Sequence, residues 1–249
     1  MKTWPYPRLI AHRGGGSLAP ENTLAALKLG ASLGYRASEF DVKLSRDAVP
    51  FLLHDAKLER TTSGAGIAGE LDWPALAGLD AGAWHSSAYR GERLARLDEV
   101  ARFITANGLM ANVEIKPTPG FERETGRAVA RACTELWAGA PVQPLLSSFA
   151  YESLVAAREE APHLPRGWLI ETPGEVDFDR LASLQAASLH CSHKAVTPEL
   201  VARVHGDGRR LMAWTVNDAQ RAAMLLDWGV DGLFTDNLRE FADCFGNWL

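Results

Sequence analysis

Arg8-Leu9-Ile10-Ala11-His12-Arg13-Gly14-Gly15-Gly16 decides how the rest of the chain is read. Leu9–His12 has the apolar character of a short buried strand, and the glycines after it let the backbone turn sharply. Pro20-Glu21-Asn22-Thr23 follows, and an apolar helical pattern begins there. His12 and Arg13 therefore stand at the C-terminal end of a strand, just before a helix. Ligands of α/β folds bind at that end of the strands. A titratable imidazole beside a fixed cation suits an anion such as a phosphate.

The same strand-then-helix rhythm continues along the 249 residues. Strand patterns fall at Leu9–His12, Ser38–Val42, Ala111–Ile115, Pro144–Ser148, Gly167–Ile170, Ala187–Cys191, Arg210–Thr215 and Gly232–Thr235. Helical patterns fall between them at Asn22–Leu33, Leu97–Asn107, Glu122–Leu136, Tyr151–Glu160, Phe178–Leu184, Pro198–His205 and Asp218–Trp228, with Leu238–Phe245 last. Strands and helices paired in this way predict a (β/α)₈ barrel. The short patterns at Arg210 and Gly232 keep an open doubly wound sheet as the alternative. The expected organisation is one barrel domain over residues 1–249.

The stretch between Val42 and Ala111 is longer than one crossover needs. Val49–Leu53 reads as an extra strand pairing back onto the second. Residues 56–96, rich in Gly, Ser and Trp, read as an insertion over the barrel mouth. Gly64-Ala65-Gly66-Ile67-Ala68-Gly69 matches GxGxxG, but no buried strand precedes it and Pro74 soon follows. A flexible loop is expected there, not a nicotinamide site.

Composition narrows the function. Hydrophobic residues make up 47% of the chain, enough for a large core. A net charge of -5, from 26 basic and 31 acidic residues, argues against a nucleic-acid or anionic-membrane surface. No apolar run is long enough to span a bilayer, and the N-terminal residues lack a signal-peptide h-region. Cys133, Cys191 and Cys244 are widely spaced, as expected of reduced thiols in a cytoplasmic protein. The expected partner is a small molecule, without nucleic acid or stable membrane association; a homodimer is left open.

The chemistry lies in strand-borne charges. Glu39 and Asp41 share one face of their strand, roughly 6.6 Å apart along it. At an effective dielectric of 20 they repel by on the order of 2–3 kcal/mol. Barrel interiors are ordinarily filled with Val, Ile and Leu, so this pair needs a cation. Glu114 and Lys116 share a face of the third strand, which Pro117 ends. Three carboxylates with no thiol in reach suit a divalent metal, Mg²⁺ or Ca²⁺, rather than zinc. Ion pairing of Glu114 with Lys116, or of Glu39 with Arg13, is the plainer alternative. His54-Asp55 closes the extra strand near the same mouth, where two histidines can act as base and acid. Trp214 and Phe149 read equally as core aromatics or pocket walls. Asp236 reads as a helix N-cap, and His190 as a satisfied core histidine.

Together, His12-Arg13, Glu39-x-Asp41, His54-Asp55, Glu114-x-Lys116, Trp214-Thr215-Val216-Asn217 and Pro20-Glu21-Asn22-Thr23 resemble the motifs of the glycerophosphodiester phosphodiesterases. The resemblance covers essentially the whole chain, including the inserted segment. Trp4–Arg8 and Leu136–Gly139 look like the small cytosolic bacterial members linked to glycerol-3-phosphate uptake. The resemblance implies a TIM barrel that hydrolyses glycerophosphodiesters, such as glycerophosphocholine and glycerophosphoethanolamine, to sn-glycerol 3-phosphate and an alcohol. It implies a divalent metal on Glu39, Asp41 and Glu114, with His12 and His54 as the acid–base pair. It also implies Arg13 and Lys116 on the phosphate, Trp214 as a wall, and the insertion over the glycerol end. The substrate's own 2-hydroxyl would attack first, through a cyclic phosphate.

Overall fold

A computed structural model describes residues 4–249. Its strands are β1 (Leu9–Ala11), β2 (Ala37–Leu44), β3 (Pro50–Leu52), β4 (Met110–Ile115), β5 (Leu145–Ser148), β6 (Arg166–Ile170), β7 (Ser188–Ser192), β8 (Arg210–Trp214) and β9 (Gly232–Thr235). The parallel neighbours run β1-β9-β8-β7-β6-β5-β4-β2. A pairing of Ala11 with Ser38 joins β1 to β2 and closes the ring. The chain is thus a closed barrel of eight parallel strands, not an open sheet. β3 lies outside the ring and pairs antiparallel with β2, Val42 facing Leu52 and Leu44 facing Pro50.

The helices are α1 (Leu24–Ser32), α2 (Trp73–Ala77), α3 (Leu97–Ala106), α4 (Glu122–Leu136), α5 (Tyr151–Glu160), α6 (Phe178–Ser183), α7 (Pro198–Gly206), α8 (Ala219–Asp227) and α9 (Leu238–Phe245). Outward strand residues such as Phe40, Val42, Val113 and Ile115 pack with Val100, Ile104 and Val129 of α3 and α4. Inward residues at the N-terminal end form a separate apolar plug of Ile10, Ala37, Met110, Leu145, Met212 and Phe234. Tyr6 closes that end, its hydroxyl donating to the Gln143 carbonyl at 2.7 Å.

The segment after β3 has a small core of its own, in which Leu58, Ala68, Leu76, Ala81 and Leu94 pack against Phe51 and Leu53. It contains α2, which the sequence reading did not anticipate. Pro74 lies in the first turn of α2, where a missing N–H costs nothing, and this short helix begins beyond Gly64–Gly69. Gly64–Gly69 is loop followed by the start of a short 3₁₀ turn, with Gly66 at φ +94°. The segment docks on the loop between β1 and α1 and on the first turn of α1. His85 donates Nε2–H to the Ser17 carbonyl at 3.1 Å, and Glu92 accepts from the Ala25 amide at 3.1 Å.

Candidate active site

β1 ends as its sequence suggests, and its last turn is tightly held. The His12 amide donates to the Thr235 carbonyl at 3.0 Å, and the Gly16 amide to the His12 carbonyl at 2.9 Å. Gly16 has φ +55°, and a Cβ there would lie 2.2 Å from the Asp236 carbonyl oxygen. Only glycine lets the two loops approach so closely. This turn places His12 and Arg13 beside Glu39, which accepts from the Arg13 backbone amide at 2.9 Å.

Glu39, Asp41 and Glu114 project inward from β2 and the neighbouring β4, where Asp41 and Glu114 are register partners. Each offers a carboxylate oxygen within 4.8 Å of the others. All three are buried, at 3%, 1% and 8% exposure, which is an expensive place for three like charges. Burial and then the neighbouring Asp41 raise the Glu39 pKa, and the same causes raise that of Glu114. Burial pushes Asp41 the same way, but Lys116, His54 and Arg13 outweigh it, so Asp41 stays below the usual carboxylate range.

Part of the compensation comes from protein groups. Lys116 Nζ lies 2.6 Å from Glu114 and 3.6 Å from Asp41. Arg13 Nε lies 3.6 Å from Asp41, while its Nη1 bonds Glu21 at 2.7 Å. The ion pairing weighed in the sequence is therefore real for Glu114. Glu39 meets the Arg13 backbone instead, and its Oε1 is buried with no hydrogen-bond partner among the described residues. An orphaned carboxylate oxygen inside an all-oxygen triad fits a hard divalent cation.

Asn22 stands behind the triad. It sits at φ +60°, a left-handed conformation that asparagine tolerates. Its Nδ2 donates to Asp41 Oδ2 at 2.8 Å and its Oδ1 accepts from the Asp41 amide at 2.9 Å. The one side chain thus fixes both ends of Asp41. Lys43, the next inward residue on β2, donates to the Lys116 carbonyl at 3.1 Å. Burial lowers its pKa to about 8.

Each histidine has a carboxylate behind it. Asp236 Oδ1 lies 2.6 Å from His12 Nδ1, and Asp55 Oδ1 lies 2.7 Å from His54 Nδ1. A carboxylate only accepts, so each Nδ1 carries the proton and each Nε2 is left for the cavity. Asp236 is therefore not the helix cap expected of it: it holds His12 and accepts from Asn217 Nδ2 at 3.0 Å, and α9 takes Asn237 as its N-cap. The two rings differ electrostatically. Burial lowers the His12 pKa, but Asp236 and Glu39 overcome it and the net shift is upward. For His54 burial prevails over Asp41, and Lys116 and Arg13 add to it, so the shift is downward.

Arg60, from the inserted segment, bonds Asp55 through Nε at 2.6 Å and Glu21 through Nη1 and Nη2 at 2.8 Å each. One guanidinium therefore braces the carboxylate behind His54 and the carboxylate that holds Arg13. Phe149 and Trp214 meet edge to face at 5.3 Å, with Lys116 Nζ 5.3 Å from the Phe149 ring centre.

His12, Arg13, Glu39, Asp41, His54, Glu114, Lys116, Phe149 and Trp214 all line one cavity of about 380 Å³. A second hollow on the far side of His12 is walled by Asp236, Asn217, Glu21 and, from the insertion, Trp84 and His85. His190, expected as a satisfied core residue, also lines the first cavity, and only one of its ring nitrogens has a partner among the described residues. Sequence reasoning missed Asp236, Asn22, Arg60 and His190. Asp236 and Asn22 had a usable signal, since each adjoins a strand end or motif already placed at the mouth.

Comparison with known proteins places the chain among its relatives. Residues 12–240 match the Glycerophosphoryl diester phosphodiesterase family. A glycerophosphodiester phosphodiesterase of Caldanaerobacter subterraneus is 33% identical over 92% of this chain and 93% of its own length. One of Bacillus subtilis is 30% identical over 91% of this chain and 82% of its own. Among solved structures, an Oleispira antarctica phosphodiesterase in complex with the product sn-glycerol-3-phosphate superposes with a TM-score of 0.90. It is 34% identical, and the match covers 97% of each chain. No helix among the described residues is long and apolar enough to cross a membrane. By sequence, by fold and by the motifs gathered at its mouth, the chain belongs to the glycerophosphoryl diester phosphodiesterase family.

Proposed function

We propose that this glycerophosphodiester phosphodiesterase hydrolyses small, water-soluble glycerophosphodiesters, among them glycerophosphocholine and glycerophosphoethanolamine. The products are sn-glycerol 3-phosphate and the free alcohol, and the reaction takes place in the cytoplasm. The observation that carries the reading is the pairing of an all-oxygen carboxylate triad with two carboxylate-backed histidines in one cavity. The Oleispira protein, bound to sn-glycerol-3-phosphate, supports the product.

Glu39, Asp41 and Glu114 would hold a divalent metal, Mg²⁺ or Ca²⁺. When bound, it would neutralise phosphate charge and stabilise the charge that builds at phosphorus during attack. Arg13 and Lys116 flank the triad and grip the phosphate oxygens by charge-assisted hydrogen bonds. His12 Nε2, 3.8 Å from Glu39, takes the proton of the attacking hydroxyl. His54 Nε2 gives a proton to the departing alkoxide. Asp236 keeps neutral His12 in the tautomer whose Nε2 accepts, and Asp55 holds the His54 ring, which donates from Nε2 as the imidazolium. Trp214 and Phe149 wall the cavity, and the segment at about 56–96 serves the single barrel domain as an insertion.

The test is product analysis with glycerophosphocholine and a divalent cation. Release of choline and sn-glycerol 3-phosphate in equal amounts is expected. Phosphocholine and glycerol would mean that the wrong bond is cut, and no turnover would mean that the site only binds.

A further inference from the structure

The carboxylates behind the two histidines are braced by different chemistry. Asp236, behind His12, is held by a neutral amide. Asn217 Nδ2 donates to its Oδ2 at 3.0 Å, and Asn217 Oδ1 accepts from its backbone amide at 2.8 Å. Asp55, behind His54, is held by a cation that the inserted segment supplies. Arg60 Nε and Nη2 donate to the two oxygens of Asp55 at 2.6 and 3.1 Å. Its Nη1 and Nη2 donate to the two oxygens of Glu21 at 2.8 Å each. One planar guanidinium thus grips two carboxylates from different loops, each through both oxygens.

The same carboxylates serve the site. Asp55 Oδ1 lies 2.7 Å from His54 Nδ1, and Glu21 Oε1 accepts from Arg13 Nη1 at 2.7 Å. A continuous line of bonds therefore runs from His54 through Asp55, Arg60 and Glu21 to Arg13. The hydrogen bonds of Arg60 are also the largest reason that Asp55 stays well below the usual carboxylate range. By sharing Glu21, Arg60 leaves the Arg13 guanidinium less committed to the protein and freer for an anion.

The turn that carries Arg60 is itself pinned. Leu58 is 0% exposed in the small core of the insertion. The Thr62 amide and hydroxyl both donate to the Leu58 carbonyl, at 3.0 and 2.7 Å. The Arg60 side chain is 44% exposed, where an ion pair contributes little to stability. What the paired bonds supply is orientation, since a guanidinium that meets carboxylates through two parallel bonds fixes their planes.

We propose that Arg60 is a positioning residue, which sets the His54 ring and the Arg13 guanidinium together. Through it the inserted segment is a working part of the active site, not only a cover. This rests on the hydrolytic reading above, which gives His54 and Arg13 their tasks.

Arg60→Ala should lower kcat/KM on glycerophosphocholine by about tenfold or more, as expected when reacting groups lose their alignment. Arg60→Lys keeps the charge but cannot span both carboxylates. It should recover less than about a third of the wild-type value; full activity would show that charge alone suffices and overturns the proposal. In a background of Asp55→Asn with Glu21→Gln, Arg60→Ala should cost less than about twofold, because it no longer has carboxylates to hold. The same fold-loss in both backgrounds overturns the proposal. If that background does not fold, each single substitution is used alone, and each should shrink the loss to about threefold. Calorimetry with inorganic phosphate reads Arg13 without turnover. Arg60→Ala should weaken phosphate by about threefold or more in the wild-type background and not in Glu21→Gln. Equal weakening in both, or none in either, overturns the proposal. If the wild type cleaves no diester, the hydrolytic reading fails, and the phosphate measurements still decide whether Arg60 positions Arg13.

Discussion

Between Ile10 and His12, two residues of one chain, the barrel interior passes from apolar packing to ionisable chemistry. The same step occurs on β2 from Ala37 to Glu39 and Asp41, and on β4 from Met110 to Glu114. The lower members belong to the apolar plug, and the upper members line the cavity. The plug gains stability from burial at about 25 cal/mol per Å². The upper half buries three carboxylates and several unpaired polar atoms, which costs stability unless ligands or cations are bound. Strand periodicity lets one backbone do both, since inward residues recur every second position whatever their chemistry.

Substitutions in the upper half should therefore remove activity, and those in the plug should remove stability. The largest expected effect is at the histidines. His12→Ala should lower kcat/KM by about 10²–10⁴ on every diester, as expected for loss of a general base. His54→Ala should do so on glycerophosphocholine and noticeably less on a p-nitrophenyl diester, whose leaving group needs no proton. Equal loss on both substrates for His54→Ala contradicts its role as the acid. Selective rescue of His12→Ala instead would exchange the two roles.

Lys116→Ala comes next, with an expected loss of at least about tenfold in kcat/KM, since a charge-assisted contact is worth roughly 1.5–3 kcal/mol. Its melting temperature should fall in chelator, where Lys116 compensates Glu114 and Asp41, and barely move with the cation bound. A large drop in stability with normal kinetics would instead make Lys116 a structural partner of Glu114 and Asp41. Leu145→Ala, in the plug, should show the reverse. Urea unfolding should report a loss of about 2–5 kcal/mol, with kcat/KM per folded molecule unchanged. Lost activity at unchanged stability would erase the division between the two halves.

The smallest effect is in the pH dependence of the chelated protein. Burial and Asp41 push the Glu39 pKa up to about 8, against about 4.3 for an unfolded glutamate. Between those values the folded chain keeps a proton that the unfolded chain has released. Stability must then fall as pH rises from about 6.5 to 8, whereas below about 6.5 the depressed histidines, His190 above all, pull the other way. His12, whose pKa is also raised, acts in the same direction as Glu39. Thermal melts in chelator should show the decline, and a divalent cation should reverse it most at the alkaline end. Chelated protein that gains stability across this range contradicts the cost assigned to the triad.

The fold was legible because the strand–helix rhythm repeats and each strand pattern lay within a few residues of its observed position. Glu39, Asp41, Glu114 and Lys116 were legible because alternation along a strand reports which side chains share a face. What escaped depends on contacts distant in sequence. Asp236 read as a cap because nothing local shows that β9 runs beside β1 and brings it 2.6 Å from His12. His190 read as a core residue because its burial is real, and only the cavity shows that half of its ring is unpaired. Arg60 lies in a loop without periodicity, so its bonds to Asp55 and Glu21 left no mark in the pattern.

Turnover of glycerophosphocholine after exhaustive chelation, followed by titration with Mg²⁺ or Ca²⁺, tests the central claim most directly. The account predicts no release of sn-glycerol 3-phosphate from the chelated enzyme, recovery on adding the cation, and weaker cation binding by Glu114→Gln with its fold intact. Full activity in the chelated enzyme would show that Glu39, Asp41 and Glu114 are held by Arg13 and Lys116 alone.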